Sequence, residues 1–575
     1  MRILSFLVAV ALAMLIDYHV SPSVTMPNQL VAVLGWGLVL LLSPAPALQR
    51  PALRAVSPLL GVLALALAGC AIGIVTGSQP SPPGIGVLAY IGLAAALCLH
   101  GASAGATDLV GYFRAMSIAM LAAGLCCAVI AILQVFAYDS LDNHLIAIPA
   151  QQGRAGGNIG QPNQFADLML WGLIALLPLA RAWRIPGGPM LPRLGWAFAA
   201  LLMLTGVVLS GSRTALFALV LIAGWGLVDR RMARALRIGL VLAPLVVIAL
   251  QPVVASTAHA LGAAVVLTER DGTTDMTSFR SEIWSASIAL IRQQPWLGVG
   301  WGGFNFAWTL TPGIARHAGL VDNAHDLPLH LAIELGLPAA LAMMGLLLFA
   351  FVRAVRCAWR LEGEAGIAAR AAVLLVLVMG VHSMLEYPLW YAFLLLPTAW
   401  TFGLTLGAAA PLAPVAAGVP AAAPAPLRAW RAIGLLMVVG AVSAWLDYMI
   451  IVDLFLPPST SSPLVERIQR AQASRLFSNQ ADAVAVSDLA LTVDSLPLVV
   501  RSSHVLLTGR AMYVWANLLA AQGQVDKARY LAARLREFDL SGPRRWYAPC
   551  GDPAVTTKPF QCLAPDHPVS WRDFR

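Results

Sequence analysis

The sequence is poor in charged residues, which excludes an ordinary soluble globular chain. Only 11% of its 575 residues are charged and 59% are hydrophobic, whereas soluble proteins carry about 25% charged residues. The deficit lies in the first 455 residues, where apolar runs of roughly 16 to 25 residues match a bilayer core. Examples are residues 59–75, 115–137, 238–254 and 335–352. Such runs predict a polytopic membrane protein.

No small-residue cleavage site of the A-x-A kind follows the first apolar run, residues 3–16, and another span comes soon after it. This run is therefore interpreted as the first transmembrane helix rather than a signal peptide. Within hydrocarbon every backbone polar group must be satisfied inside its own segment, so the spans are predicted to be helices. The predicted fold is all-α, with about 13 transmembrane helices.

Several chemical signatures are also missing. Neither a Gly-rich dinucleotide fingerprint nor a P-loop is present, so a nucleotide donor has no support in the sequence. Five of the seven cysteines lie in or beside spans without metal-site spacing, so the cysteines predict no metal or other cofactor. Cys550 and Cys562 lie in the tail, where an oxidising compartment would let them form a disulfide. Two thiols that stay reduced are the alternative.

The formal net charge is +9, but the basic residues do not form one compact patch, so nucleic acid is not a predicted partner. Instead, arginines mark every second gap between spans, and the intervening gaps hold most of the acidic loop residues. This alternation follows the positive-inside rule and predicts a cytoplasmic N-terminus and, with about 13 spans, a tail on the opposite side. Six gaps are marked in this way, in order along the chain: Arg50 and Arg54; Arg114; Arg181, Arg184 and Arg193; Arg230, Arg231, Arg234 and Arg237; Arg353, Arg356, Arg360 and Arg370; and Arg428 and Arg431.

Three segments on the predicted outer side are long or polar: residues 138–164, residues 256–326 and the tail. Loops of this length are uncommon unless they have a function or a structure of their own. The predicted organisation is a transmembrane domain over residues 1–456 and a second domain over residues 457–575. Before the last span, the Ala- and Pro-rich residues 411–426 predict a flexible linker.

The tail is polar, with apolar residues at helical spacing. Residues 511–538 predict two short helices around Gly523, an arrangement that resembles a tetratricopeptide-type hairpin. Residues 464–491 form a weaker unit of the same kind. We therefore expect a small α-helical domain that packs on the membrane domain or contacts a partner.

A cluster of polar residues precedes an apolar span at the end of the second long loop. The run V-D-N-A-H-D-L-P-L-H contains Asp322, Asn323, His325, Asp326 and His330. The unperturbed pKa of a histidine side chain is about 6.5, which suits proton transfer near neutral pH. A neighbouring aspartate could orient the imidazole. The alternatives are a cap for the following helix and a metal site, although no spacing such as H-E-x-x-H supports a metal.

Residues 279–293 of the same loop predict an amphipathic helix. Ile283, Trp284 and Ile288 recur at helical spacing, so this helix could lie in the membrane interface. Arg280 would then lie close to lipid phosphates. The alternative is an ordinary amphipathic surface helix.

The first long loop is rich in hydrogen-bonding side chains. Arg154, Asn158, Gln161, Asn163 and Gln164 occur within eleven residues that also contain several glycines. Glycine lets backbone approach a ligand closely, and the amides suit sugar hydroxyls or a phosphate. The same composition is also typical of an ordinary turn.

Two short turns on the predicted outer side carry further candidates. The turn L-S-G-S-R-T contains Arg213, a lone charge where a span begins. The turn H-S-M-L-E-Y-P-L-W-Y contains His382, Glu386 and Tyr387. Both turns are otherwise poor in charge, so these side chains are candidates for a functional site.

Five candidate side chains that lie far apart in sequence are predicted to meet on one side of the membrane. They are Arg154, Arg213, Arg280, His325 and Glu386. Arginine suits bidentate phosphate binding. The predicted ligand is therefore an anionic lipid headgroup such as a diphosphate.

At these residues the chain resembles the bacterial superfamily of O-antigen ligases and polymerases, and more closely the protein O-oligosaccharyltransferases of the PglL type. Five pieces carry the resemblance: R-A-G-G-N-x-G-Q-P-N-Q, S-G-S-R-T, F-R-S-E-I-W, P-W-L-G-V-G-W-G-x-F followed by N-A-H-D, and H-x-x-x-E-Y-P-L-W-Y. The Q-P-N-Q and E-Y-P-L elements and the helical tail favour the protein glycosyltransferase branch.

The resemblance implies a glycosyltransferase in the bacterial inner membrane, with its active site and tail in the periplasm. It would move an oligosaccharide from undecaprenyl diphosphate to a Ser or Thr hydroxyl of a periplasmic or pilin-like protein, with inversion and without a metal. His325 would be the general base, and Arg213, Arg280 and Arg154 would hold the diphosphate. The implied substrate-binding residues are Gln161, Asn163, Gln164, Asp322, Asn323, Glu386 and Tyr387.

Three other functions remain open at this point. One is an O-antigen ligase or polymerase with a lipid A-core or glycan acceptor. Another is a transporter for lipid-linked sugar, which would place charged residues near the bilayer midplane, whereas here the polar residues gather at one face. The last is a non-catalytic assembly protein that docks through its tail.

Overall fold

The computed structural model describes residues 1–43, 45, 48–141, 145–180, 190–267, 276–314, 321–408, 424–456, 462–504, 507–538 and 545–574. Arg181, Arg184 and linker residues 411–423 lie outside these ranges. All regular secondary structure within them is helical, as predicted. Before the tail, the helices are Arg2–Leu15, Met26–Leu42, Arg50–Thr76, Ser81–Phe136, Pro162–Leu179, Met190–Ser210, Arg213–Val228, Arg234–Leu261, Met276–Gln293, Phe304–Leu310, Leu327–Arg360, Gly363–Ser383, Ala392–Gly407 and Pro424–Phe455.

The described helices form a multi-pass membrane protein. Seven of them are long and apolar enough to cross a membrane, and four shorter apolar helices accompany them. If the kinked helix Ser81–Phe136 is counted as two segments and the apolar helix Pro162–Leu179 is included, the described residues provide thirteen apolar segments, in agreement with the predicted number. Large apolar side chains such as Phe217 and Leu341 are exposed on these helices, as expected of surfaces that face lipid.

The gap predicted around Arg114 is not a loop. Arg114 lies inside helix Ser81–Phe136, and the chain bends instead at Asp108, whose φ of −151° and ψ of 60° are not helical. The Asp108 carboxylate accepts a hydrogen bond from the Gly111 N–H at 2.9 Å and pairs with Arg2 at 2.7 Å. Because this carboxylate satisfies backbone at the bend, the two segments join without a loop.

Arginine-rich gaps that are distant in sequence meet at one end of the helices. Buried Arg370 pairs with buried Asp229 at 2.7 Å between Nε and Oδ2. The Arg353 guanidinium donates to the Arg54 carbonyl at 3.3 Å. Three of the predicted arginine gaps therefore lie on the same side, as the positive-inside reading requires.

Glycines allow two spans to pack backbone against backbone. Helix Ser81–Phe136 approaches helix Ala392–Gly407 so closely that a Cβ atom on Gly105 would lie 1.9 Å from the Leu404 carbonyl oxygen. A Cβ atom on Gly407 would lie 2.0 Å from the carbonyl oxygen of Ala102. Small residues at such contacts let membrane helices associate where no hydrophobic driving force acts between them.

The contacts divide the chain into two compact units. The first consists of Met1–Leu63, Gly92–Gly272 and Leu346–Trp445, and the second of Ala64–Ile91, Thr273–Gly345 and Leu446–Arg575. The tail is thus grouped with two segments of the membrane region. The functional division predicted at residue 456 stays a prediction.

The tail folds into the predicted short helices. Gly509–Ala521 and Val525–Arg536 form the hairpin around Gly523, and a disulfide joins Cys550 to Cys562, with Cα atoms 5.1 Å apart. The upstream and terminal helices are Leu464–Ala471, Ser478–Asp488, Leu496–Ser503 and Ala548–Gly551.

In the second unit, helix Leu327–Arg360 is interrupted at Gly336. Gly336 adopts φ 79° and ψ 164°, a backbone region that is essentially restricted to glycine. A Cβ atom there would lie 2.2 Å from the Trp296 carbonyl oxygen. Glycine is therefore needed both for the conformation and for the close approach of the preceding loop.

The loop of residues 295–303 satisfies the backbone groups that this interruption releases. Its three bonds to the broken helix run from the Val299 N–H to the Ile333 carbonyl (2.8 Å), from the Gly300 N–H to the Glu334 carbonyl (2.9 Å) and from the Leu337 N–H to the Pro295 carbonyl (2.8 Å). Because unpaired backbone is costly near hydrocarbon, the loop and the broken helix stabilise each other.

We predict that Gly336→Ala lowers the stability of the purified protein by about 2 kcal/mol or more, because it adds strain and a backbone clash. The measurement is the melting temperature in a fixed detergent. Gly345→Ala is the matched control in the same helix, since its Cβ would meet nothing within 4 Å. An unchanged melting temperature for Gly336→Ala would show that the interruption is not required.

Candidate functional site

The candidate residues fall into the two units, and each cluster is described by itself. The first unit holds Arg154, Gln161, Asn163, Gln164, Arg213, Glu386 and Tyr387. The second unit holds Arg280, Asp322, Asn323 and His325. The predicted meeting of all five charged candidates in one cavity stays a prediction.

Two buried amides hold the Gly-rich loop of the first unit, residues 153–160. Asn158 is 1% exposed, and its Nδ2 donates to the carbonyls of Leu15 and Leu145 at 2.8 and 2.9 Å. Its Oδ1 accepts from the Ala147 N–H at 3.1 Å. Gln134 makes four further bonds to Ala147 and to the backbone of residues 156 and 157. Asn158 therefore holds the loop in place and does not present its amide to a ligand.

Arg154 and Arg213 belong to one corner of this unit. The Arg154 Nε donates to the Ser210 carbonyl at 2.9 Å, three residues before Arg213. Arg213 is exposed at the first position of helix Arg213–Val228, where the Ser212 side chain accepts from the Ala215 N–H. The positive end of the helix dipole and two guanidinium groups make this corner suitable for an anion.

Gln161, Asn163 and Gln164 have different environments at the start of helix Pro162–Leu179. The Gln161 side chain caps the helix by accepting from the Gln164 N–H at 2.7 Å. The Asn163 Nδ2 lies 3.5 Å from the Glu386 Oε1, so the structure brings these two candidates together. Gln164 is buried, and its Oε1 has no hydrogen-bond partner among the described residues.

The turn that holds Glu386 and Tyr387 is anchored by a pair that the sequence reasoning did not identify. His382 is buried and its Nδ1 contacts the carboxylate of buried Asp167, on helix Pro162–Leu179. Tyr387 stacks with Tyr391 at 6.1 Å between ring centroids. Asp167 sits within an apolar run, and a lone acid in a span is the signal that could have identified it.

His19 is a second residue that the sequence reasoning missed. Its Nε2 lies 2.9 Å from the Asn158 carbonyl oxygen, and its Nδ1 lies 3.5 Å from the Asp17 carboxylate. A Cβ atom on Gly160 would be 3.4 Å from the His19 ring. The segment after the first helix therefore forms one wall of the Gly-rich loop.

In the second unit, the backbone around His325 is tightly held. His325 has φ 49°, a left-handed conformation that costs about 1–3 kcal/mol unless its surroundings enforce it. The His325 N–H donates to the Asn323 Oδ1 at 2.9 Å, and the Asn323 Nδ2 donates to the Asp322 Oδ1 at 2.9 Å. Asn323 is buried whereas the His325 side chain is partly exposed. Asn323 and Asp322 thus support the loop, and His325 remains accessible.

Asp326 takes the capping role that was the alternative for this cluster. Its Oδ1 accepts from the Leu329 N–H at 2.8 Å, at the start of helix Leu327–Arg360. Burial raises the pKa of Asp326, and this hydrogen bond opposes the increase. The cap therefore accounts for Asp326.

Helix Met276–Gln293, which carries Arg280, contacts the same loop. The Trp284 Nε1 donates to the Ala324 carbonyl at 3.1 Å, next to His325. Arg280 lies one helical turn before Trp284 and therefore on the same face of the helix. The helix predicted over residues 279–293 is confirmed, and its contact with residue 324 joins the helix that carries Arg280 to the His325 loop.

A buried pair lies beneath this loop. The His330 Nδ1 accepts from the Ala324 N–H at 3.4 Å, and its Nε2 is 3.6 Å from the Glu334 Oε2. The Glu334 Oε1 accepts from the Phe304 N–H at 3.3 Å. His330 is thus a supporting residue. Within the described residues, no group of three or more His, Cys, Asp or Glu could hold a metal ion.

We predict that Asn158→Ala destabilises the protein by about 2–4 kcal/mol, because it leaves two carbonyls and an N–H unsatisfied in a buried site. Asn163→Ala removes one long contact from a half-buried residue and should change stability by about 0.5 kcal/mol or less. Thermal unfolding of both variants in one detergent is the measurement. Equal losses would show that Asn158 has no special structural role.

Three family models match the chain. One described as O-antigen ligase matches residues 198–344, one described as virulence factor membrane-bound polymerase, C-terminal, matches residues 370–539, and one described as protein glycosylation ligase matches residues 155–179. The comparison with curated proteins found no match.

The matched segments contain most of the candidate residues. Arg213, Arg280 and His325 lie in the O-antigen ligase match, and Glu386 lies in the polymerase match. Gln161, Asn163 and Gln164 lie in the protein glycosylation ligase match. These matches follow one another along a helical membrane chain. The three matches together fit the superfamily of O-antigen ligases and protein glycosylation ligases.

Proposed function

We propose that the protein transfers an oligosaccharide en bloc from undecaprenyl diphosphate to Ser or Thr hydroxyls of periplasmic or pilin-like proteins. The reaction takes place on the periplasmic side of the bacterial inner membrane. The observation that supports it most is the His325 loop: an accessible imidazole on a strained, fully supported backbone, with Arg280 on the adjacent helix. Strain of this kind is concentrated at functional sites.

The proposed reaction is a direct displacement at the anomeric carbon. The His325 imidazole takes the proton of the acceptor hydroxyl as its oxygen bonds to this carbon. The bond from the same carbon to the diphosphate oxygen breaks, and its electron pair leaves with undecaprenyl diphosphate. Attack opposite the leaving group inverts the anomeric centre.

Arginines stabilise the charge that grows on the leaving diphosphate. Arg280 belongs to the helix whose Trp284 contacts the His325 loop in the second unit, and Arg154 and Arg213 share a corner of the first unit. A planar guanidinium group binds phosphate in a bidentate manner, through two parallel N–H···O hydrogen bonds. Each bond strengthens as negative charge develops on the phosphate. Asn163 with Glu386, Tyr387 and the buried Gln164 amide are proposed to bind sugar or acceptor.

A second candidate function uses the same donor chemistry with a glycan acceptor. Two of the three family models are described as O-antigen ligase and as a polymerase, and this observation favours it. The two functions differ in the product. Co-expression with a lipid-linked glycan pathway and a pilin, followed by mass spectrometry, distinguishes glycan on the pilin from glycan on lipid A or on longer glycan chains.

We predict that His325→Asn abolishes transfer by the purified protein supplied with lipid-linked oligosaccharide and acceptor. Asparagine tolerates the positive φ at this position and cannot serve as a base, so the fold should persist while the rate falls by about 100-fold or more. The rate is measured as glycosylated acceptor formed per minute. His259→Ala, an exposed histidine in another helix, is the control. Full activity of His325→Asn would eliminate the proposed base.

We also predict that Arg280→Ala and Arg213→Ala raise the KM for the lipid donor by about 10- to 100-fold, since each removes a charge-assisted contact to phosphate. The KM for the acceptor should change less than 2-fold, about the limit of measurement. Arg280→Lys should recover part of the loss, because lysine keeps the charge but not the bidentate geometry. Arg292→Ala, exposed on the same helix, is the control. A larger effect on the acceptor would reassign the two arginines.

A further inference from the structure

Asn305 links the tail to the loop that holds His325. Its Nδ2 donates to the Val321 carbonyl at 2.9 Å, and its Oδ1 accepts from the Leu507 N–H at 2.9 Å. Asn305 is 7% exposed, so water cannot replace its amide as the partner of the Val321 carbonyl or the Leu507 N–H unless the structure opens. One side chain therefore ties the tail to the first residue of the loop, residues 321–326.

The short helix that carries Asn305 is held by the tail at both ends. The Tyr530 hydroxyl donates to the Leu310 carbonyl at 2.6 Å, at the end of helix Phe304–Leu310. Near its start, the Phe306 ring stacks on His504 with 4.5 Å between centroids. The helix is buried along its whole length. Its position is therefore set by the tail as well as by the membrane region.

Val321 lies four residues before His325 in the same loop. The intervening residues are not free to adjust, because Asn323 binds the His325 N–H, and Trp284 binds the Ala324 carbonyl. A displacement of Val321 would therefore change the bonds that enforce the positive φ of His325. A misplacement of about 1 Å at a reacting group can reduce a rate by about 100-fold.

We propose that Asn305 is a positioning residue for the His325 loop, through which the tail takes part in the chemical step. This inference rests on the proposed function, in which His325 is the base. It assigns the tail a role in the rate of transfer that is separate from any capture of the acceptor. Substitution of Asn305 should consequently lower kcat and leave the donor KM nearly unchanged.

The test compares Asn305→Leu with Asn479→Leu in the full-length protein. Both asparagines are buried, at 7% and 6% exposure, but Asn479 lies in the tail helix Ser478–Asp488. We expect Asn305→Leu to lower kcat by about 10- to 100-fold with a donor KM within about 2-fold, and Asn479→Leu to change neither. Tyr530→Phe, which removes one hydroxyl and keeps the ring, should lower kcat in the same direction.

Amide hydrogen exchange supplies a readout that does not depend on activity. In Asn305→Leu the Leu507 N–H loses its acceptor, so exchange should quicken in peptides that contain residue 507 and residues 321–326. Unchanged exchange would overturn the link itself. Faster exchange with a normal kcat would overturn the positioning role.

The same assay separates this inference from the proposed function. Full activity of His325→Asn would mark the failure of the proposed base. An inactive His325→Asn variant together with a normal kcat for both Asn305→Leu and Tyr530→Phe would mark the failure of this inference alone.

Discussion

Helix Leu327–Arg360 cannot continue through Gly336, and the second unit is arranged around that interruption. Carbonyls released near the break need donors, because unsatisfied backbone is costly in or near hydrocarbon. Residues 295–303 supply the donors and are thereby fastened to the helix. The Glu334 side chain then holds the start of helix Phe304–Leu310. The interruption at Gly336 therefore helps to place the segment that leads to His325, together with the tail contacts to helix Phe304–Leu310.

In both clusters of candidate residues, a buried asparagine side chain holds a loop in place. In the first unit, buried Asn158 holds a Gly-rich loop and leaves Arg154 and Arg213 near a helix N-terminus. In the second, buried Asn323 holds a strained loop and leaves His325 accessible. Amides suit this role because they satisfy both donors and acceptors without charge. Preorganised backbone with exposed charged side chains is what electrostatic stabilisation of a leaving group requires.

The sequence predicted the features that follow from local physical rules. Apolar length identified the spans, and helical spacing identified the tail hairpin around Gly523, because both depend only on neighbouring residues. The gap predicted around Arg114 was wrong, since the chain bends at Asp108 instead, and the Asp108 carboxylate pairs with Arg2, more than a hundred residues away. The roles of Asp167 and Asn305 were missed for the same reason: each depends on a partner that only the fold brings near.

In the proposed function, the lipid diphosphate binds where the helix that carries Arg280 meets the His325 loop. A structure of the full-length protein determined by cryo-electron microscopy with undecaprenyl diphosphate bound in lipid nanodiscs tests this most directly. We expect density for the diphosphate in contact with the Arg280 guanidinium and within reach of the accessible His325 imidazole. Diphosphate density remote from both side chains would contradict the account.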